Sequence, residues 1–131
     1  MWTYEQSTGA IRKDGEIYGG GYAGHGPGLN NPLMQSVSNT GPLPCGKYRM
    51  TEWRDDDPHT GLGTIVLEPC DGNEMFGRAG FRIHGDSAAH NKGASHGCII
   101  YGVAKNRRAM WDTGDHDLEV VPGPLPLKLA A

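Results

Sequence analysis

Phe81-Arg82-Ile83-His84-Gly85-Asp86 and, after an interval, Ser95-His96-Gly97-Cys98-Ile99-Ile100-Tyr101 are the segments on which the reading of this chain turns. Each holds a short apolar run next to glycine and reactive side chains. Runs this brief, bounded by turn residues, read as strands rather than helices. They predict strands at Gly80 to His84 and at Ile99 to Tyr101, with the loop 85–94 between them. The same punctuation recurs outward. Trp2 to Gln6, Ala10 to Lys13, Glu16 to Tyr18, Lys47 to Trp53, Thr64 to Leu67 and Asp117 to Val121 read as strands. Asp14-Gly15 is a two-residue hairpin signal. Gly19 to Gly28 is too glycine-rich for a core strand and reads as an irregular edge or a loop lining a site. Asn30-Asn31-Pro32 opens a short turn or helix. Asp55-Asp56-Asp57-Pro58 reads as a solvated acidic turn, its spacing unlike that of a calcium loop. Val103 to Trp111 is the one helix, with Val103, Met110 and Trp111 on its apolar side.

The 131 residues fit one domain, 1–131, large enough to bury a core without several disulfides. The 21 glycines and 9 prolines fall between apolar runs rather than in a collagen-like period, so they mark turns. The expected class is mainly β with one short helix. A net charge of −3 with no basic stripe argues against nucleic-acid binding. No run reaches the roughly 18–20 apolar residues of a membrane span. The first residues lack the basic-then-apolar layout of an export signal, so the chain is expected to be made in the cytoplasm as a soluble protein.

Three cysteines leave one without a partner. Cys45 and Cys70 either pair in an oxidising compartment or stay reduced as small apolar residues. Cys98 admits two readings as well. In Gly-Cys-Ile-Ile it fits a core position. Beside imidazoles it fits a nucleophile, because a thiol becomes reactive when a neighbouring base or dipoles stabilise its thiolate. His84, at the end of a strand, is the better aimed base, with the Gly85 carbonyl or Asp86 holding its ring. The Gly97 and Cys98 amides are candidates for an oxyanion hole. His96 is two residues from the cysteine and suits loop hydrogen bonding better than proton transfer. A zinc set of His84, Asp86 and His90 or His96 is the rival chemistry, but its spacing matches no helix-based zinc pattern. His90 reads as exposed, and His25 and His59 carry no signal of their own.

His84-Gly85, a ten-residue interval from Asp86 to Ser95, and His96-Gly97-Cys98 together resemble the catalytic motif of the L,D-transpeptidases (the YkuD-like family). Asn39 to Tyr48 is similar to that family's turn into a strand. Trp2 to Gly9 and Gly21-Tyr22-Ala23-Gly24 resemble the branch of L,D-transpeptidase-like effectors carried by type VI secretion systems. The resemblance implies a sandwich-like β catalytic domain acting on peptidoglycan stem peptides without a metal or organic cofactor. It implies Cys98 as nucleophile, His84 as base, Gly85 or Asp86 as orienter, and Ser95, His96 and Gly97 around the oxyanion. Tyr22, Arg78 and Arg82 are implied to touch substrate. The family's cross-linking members usually carry arginine two residues after the cysteine, where this chain has Ile100. That departure favours L,D-carboxypeptidase action or D-amino acid exchange over cross-linking, with Arg82 or Arg78 standing in for the arginine. Delivery into a rival's periplasm, a cognate immunity protein and contact with a secretion component follow from the same branch. A non-catalytic wall-binding module that keeps the fold is the remaining alternative, and release by lysis the alternative route.

Overall fold

The computed structural model describes residues 1–86 and 95–124. Among these residues nine strands form one mainly β, nearly closed sheet with a single α-helix, as the sequence pattern predicts. The strands are β1 (Trp2–Glu5), β2 (Ala10–Lys13), β3 (Glu16–Gly20), β4 (Tyr22–Ala23), β5 (Gly46–Asp57), β6 (Gly61–Pro69), β7 (Arg82–His84), β8 (Ile99–Ile100) and β9 (Asp117–Val121). The helix α1 spans Ala104–Asp112. Two 3-10 turns, Gly26–Gly28 and Pro32–Met34, lie between β4 and β5.

Across the sheet the order is β3-β2-β1-β9-β5-β6-β7-β8-β4. The Asp14-Gly15 hairpin forms as read. Both residues have positive φ, 50° and 88°, which a type I′ loop requires, and Lys13 pairs with Glu16. β1 lies parallel to β9, joining the two ends of the described chain in one ladder. β5 and β6 form a long antiparallel hairpin with a bulge between Met50 and Glu52. Here the sequence reading is corrected. Asp55 to Asp57 are not a solvated turn but the end of β5, and the turn begins at Pro58. Asp57 is buried, and its Oδ1 accepts the amides of His59 and Thr60 at 2.8 and 3.0 Å. A carboxylate that caps the next turn is satisfied inside the strand end, which a run of three acids does not disclose.

Alternation supplies the core. Trp2, Tyr4, Ile11, Tyr48, Met50, Ile65, Leu67, Ile83, Ile99, Leu118 and Val120 face one buried cluster, joined by Leu43 and Met110. The sheet nearly closes where Gly21 joins β3 to β4. A Cβ there would strike the Ile100 carbonyl, so only glycine lets the β4 edge lie against β8. One residue of the expected apolar side of the helix is corrected, for Met110 is buried and Trp111 packs against the core. Val103 is 65% exposed, and the residues that α1 buries are Arg107 and Met110. Among the described residues no helix is long and apolar enough to cross a membrane. All three cysteines are free thiols.

Candidate active site

β7 and β8 run parallel, with Ile83 opposite Ile99 and His84 opposite Ile100. Ile83 and Ile99 point into the core cluster. By alternation Arg82 and His84 share the other face of β7, with Ile100 opposite His84, while Cys98 just before β8 packs against the core cluster. The Arg82 amide donates to Cys98 Sγ at 3.3 Å, which places the thiol beside the start of β7. The seam thus brings the Cys98 thiol to the first residue of the strand whose last residue is His84.

His84 is buried, and its Nδ1 lies 2.9 Å from the Gly85 carbonyl oxygen. A carbonyl only accepts, so Nδ1 carries the proton and Nε2 keeps its lone pair in the neutral ring. Burial pushes the His84 pKa below the ordinary imidazole value. The Gly85 carbonyl opposes that, and the charges of Arg107 and Arg82 reinforce it. Burial pushes the Cys98 thiol up, partly offset by the Arg82 amide and the charges of Arg82 and Arg78. The two shifts favour a protonated Cys98 thiol and a neutral His84 imidazole.

Of the two orienters read from sequence, Gly85 makes the contact to the ring. Asp86 Oδ1 accepts the Tyr22 hydroxyl at 2.6 Å, so Tyr22, expected against substrate, positions that carboxylate.

Ser95 is fully buried, and its hydroxyl is completely used. Oγ accepts the amides of Gly24 at 2.9 Å and Gly97 at 3.0 Å, and donates to the Cys98 carbonyl at 2.6 Å. One donor and two lone pairs are thus satisfied at the bend that presents the thiol. This corrects the expected role of Gly97. Its amide is committed to Ser95, whereas the Cys98 amide makes no backbone hydrogen bond outside the strand ladders among the described residues. Gly97 is required for another reason. Its φ is +136°, and a Cβ would lie 2.6 Å from an Arg78 nitrogen and 2.8 Å from the Phe81 ring.

Arg78 and Arg82 part company here. The Arg78 guanidinium is buried and donates to the carbonyls of Gln35, Pro42, Gly41 and His96. It clamps the loop before β5 to the bend before Cys98, and those four bonds absorb most of its donors. Arg82 is less committed. Its Nε is buried without a hydrogen-bond partner among the described residues and lies 3.6 Å from Asp57 Oδ2. Burial raises the Asp57 pKa, but hydrogen bonds from Arg54 and the amides of His59 and Thr60 outweigh it and hold the carboxyl well below the usual range. A fixed negative charge therefore stands behind Arg82, and Arg82 stands beside Cys98.

The His96 ring packs edge-on to His25 at 5.3 Å, and His25 Nδ1 bonds the Ser95 carbonyl at 2.9 Å. His96 also lines a cavity of about 250 Å³ with Ser38, Asn39, Arg78 and Phe81. Among the described residues no three of His, Cys, Asp and Glu converge as a metal-ligand group; His90 lies outside the described residues.

Sequence reasoning passed over Arg107. This residue is 3% exposed and donates to the carbonyls of Gly63, Tyr101, Gly102 and Leu62. A Cβ on Gly85 would sit 3.1 Å from its terminal nitrogen. Arg107-Arg108 looks like a surface pair in sequence, and the only signal against that is the three-residue step from Arg107 to Met110 on one helix face.

The family model described as the Tlde1 domain matches residues 19–123, a span that contains every site residue above. The chain belongs to this family of type VI secretion L,D-transpeptidase-like effectors. No curated protein and no solved structure matches it.

Proposed function

We propose that this Tlde1-family chain is a cysteine acyl-transfer enzyme that trims or exchanges the terminal D-alanine of peptidoglycan tetrapeptide stems through a Cys98 thioester. The observation that carries the reading is the β7–β8 seam. The Arg82 amide donates to Cys98 Sγ, and His84, two residues further along β7, has its Nδ1 proton tied to Gly85. His84 Nε2 takes the thiol proton as Sγ attacks the carbonyl at the L-centre of the stem's diaminopimelate. The oxyanion forms beside the Cys98 amide. Collapse breaks the amide bond, and the D-alanine amine leaves with the proton held by His84. Water then attacks the thioester, giving up a proton to His84, and the thiol is restored. A D-amino acid amine in place of water gives exchange. Ile100, opposite His84, supports trimming or exchange over cross-linking, and Arg82 stands where it could meet a substrate carboxylate.

The residues form one catalytic unit, 1–131, in this proposal. Secretion into the periplasm of a target bacterium, a cognate immunity protein and a secretion-system partner belong to it as well. The test is D-alanine release from purified tetrapeptide muropeptides. Cys98→Ala is expected to lose activity by about 10⁵-fold or more, the scale seen when a nucleophile leaves an acyl-transfer unit. Turnover equal to the unaltered protein would sink the reading. A wall-binding module is the second reading, favoured by the raised pKa of Cys98. Stem binding without D-alanine release by the unaltered protein would establish it instead.

A further inference from the structure

The arginines around the β7–β8 seam are held in different ways. Arg78 and Arg107 each spend their donors on four backbone carbonyls. Arg82 lies on β7 two residues before His84, and its side chain shares a face of the strand with that imidazole. Among the described residues its guanidinium makes no hydrogen bond, and its ion pair is with Asp57, whose Oδ2 lies 3.6 Å from Nε. The cation with open donors is thus held by charge alone.

Asp57 ends the acidic run Asp55-Asp56-Asp57 and is buried at the close of β5. Its two oxygens have separate tasks. Oδ1 accepts the amides of His59 and Thr60 and so caps the turn into β6. An asparagine would serve there equally, because that cap needs an acceptor and not a charge. Oδ2 is where the charge is used, 2.7 Å from Arg54 Nη1 and 3.6 Å from Arg82 Nε. Arg54 is also bound by Glu52, whose two oxygens accept its Nε and Nη2 at 3.1 and 3.2 Å. Glu52 therefore balances Arg54 at the surface, and the charge of Asp57 is left to Arg82. A buried carboxylate stays ionised only where such partners repay its desolvation.

Both members of the pair act on the site. After burial and the Arg82 amide, the charges felt by Cys98 are those of Arg82 and Arg78, which favour the thiolate, and of Asp57, which opposes it. After burial and the Gly85 carbonyl, the charges felt by His84 are those of Arg107 and Arg82, which disfavour the imidazolium, and of Asp57, which favours it. Arg82 alone would help the thiol lose its proton and hinder the imidazole from taking it. With Asp57 behind it, the cation is fixed and its penalty on His84 is offset. We infer that Asp57 is a positioning residue for the Cys98 nucleophile: from the end of β5 it holds the Arg82 guanidinium, donors open, at the seam where negative charge forms when the thiol attacks. The inference rests on the proposed function for the identity of the nucleophile, and on the contacts of Asp57 for how Arg82 is held.

The test follows alkylation of Cys98 by iodoacetamide in the full-length protein across the titration of the thiol. The Cys98 peptide is quantified by mass spectrometry, so that the free thiols of Cys45 and Cys70 do not contribute. Asp57→Asn keeps the Oδ1 cap and removes the charge. Arg82→Gln removes the cation and keeps the backbone amide on Sγ. Each should slow alkylation at neutral pH by about tenfold, the effect of a thiol that deprotonates about one pH unit higher. The double variant should be no slower than Arg82→Gln alone, because Asp57 acts through Arg82. Arg82→Lys, which keeps a positive charge, should recover part of the rate. Faster alkylation in Asp57→Asn would overturn the inference, since the carboxylate would then act only by repelling the thiolate. Losses that add in the double variant would overturn it too. So would an unchanged rate in Arg82→Gln, a partly exposed position that reports even where Asp57→Asn does not fold. D-alanine release is measured alongside, and there the loss should fall in kcat rather than KM. A loss in KM alone, with alkylation unchanged, would assign Arg82 to substrate and overturn the inference. Alkylation that follows both charges in a protein releasing no D-alanine would keep the inference and overturn the proposed reaction, so the two failures are distinguishable.

Discussion

The β5–β6 hairpin and the β7–β8–β4 edge belong to one sheet, yet they are held in different ways. β5 and β6 pair at eight positions, whereas β7–β8 and β4–β8 pair at two each. The long hairpin has a full ladder and a buried apolar side. The short edge has few rungs and is fastened by side chains that reach backbone carbonyls and amides. Arg78 ties the bend before Cys98 to the loop before β5, Arg107 ties the stretch after β8 to the start of β6, and Ser95 closes the bend on itself. The difference teaches where rigidity at the proposed nucleophile comes from when the strand beside it is too short to supply it. A polar side chain with fixed geometry does there what ladder bonds do elsewhere.

The contrast breaks if damage to the two regions has the same consequence. The largest expected effect is on the hairpin. Leu67→Ala removes a fully buried side chain and should cost about 2–5 kcal/mol of stability by denaturant unfolding. D-alanine release per folded molecule should be unchanged; a matching fall in kcat would deny that the hairpin is scaffold alone. Next comes Ser95→Ala. It leaves the Gly24 and Gly97 amides without their acceptor, at about 1–3 kcal/mol of stability. Because it also frees the bend that aims the thiol, kcat/KM should fall by about 10²-fold. A stability loss with full activity would show that the bend does not aim Cys98.

The smallest effect is a pH limb that sharpens the contrast. His84 must be neutral to take the thiol proton, and its pKa lies below the ordinary value because it is buried. Activity should therefore hold as pH falls past about 6.5 and drop only at lower pH. An acid limb at or above that value, in kcat/KM measured from acid to neutral pH, would contradict the buried seam. Stability follows the same sign. The folded ring binds protons less readily than the unfolded one, so stability is retained above the unfolded pKa and lost as pH falls through the lowered one.

The site was partly legible before the structure. Cys98, His84 and Gly85 stand out because glycine and reactive types interrupt apolar runs, and a strand end is a rigid place for a base. Ser95, His96 and Gly97, expected around an oxyanion, lie in the bend before β8, where the Gly97 amide is spent on Ser95. Arg78 and Arg82 looked equivalent; burial against four carbonyls makes one a clamp, and proximity to Asp57 and Cys98 leaves the other facing the site. Arg107 was invisible as a buried residue, since nothing in Lys105-Asn106-Arg107-Arg108 distinguishes one basic side chain from the next.

By itself the chain's sequence determined its mainly β character, the Asp14-Gly15 hairpin, the single helix and the block from His84 to Cys98. These depend on local matters: alternation, turn chemistry, and which residue types can carry a thiolate or a proton. Only the tertiary structure decided how far β5 runs, which side α1 buries, and which carbonyls Arg78, Arg107 and Ser95 reach. The physical reason is that every residue offers the same backbone acceptor. A guanidinium that seeks four carbonyls leaves no mark in the sequence of the residues that supply them.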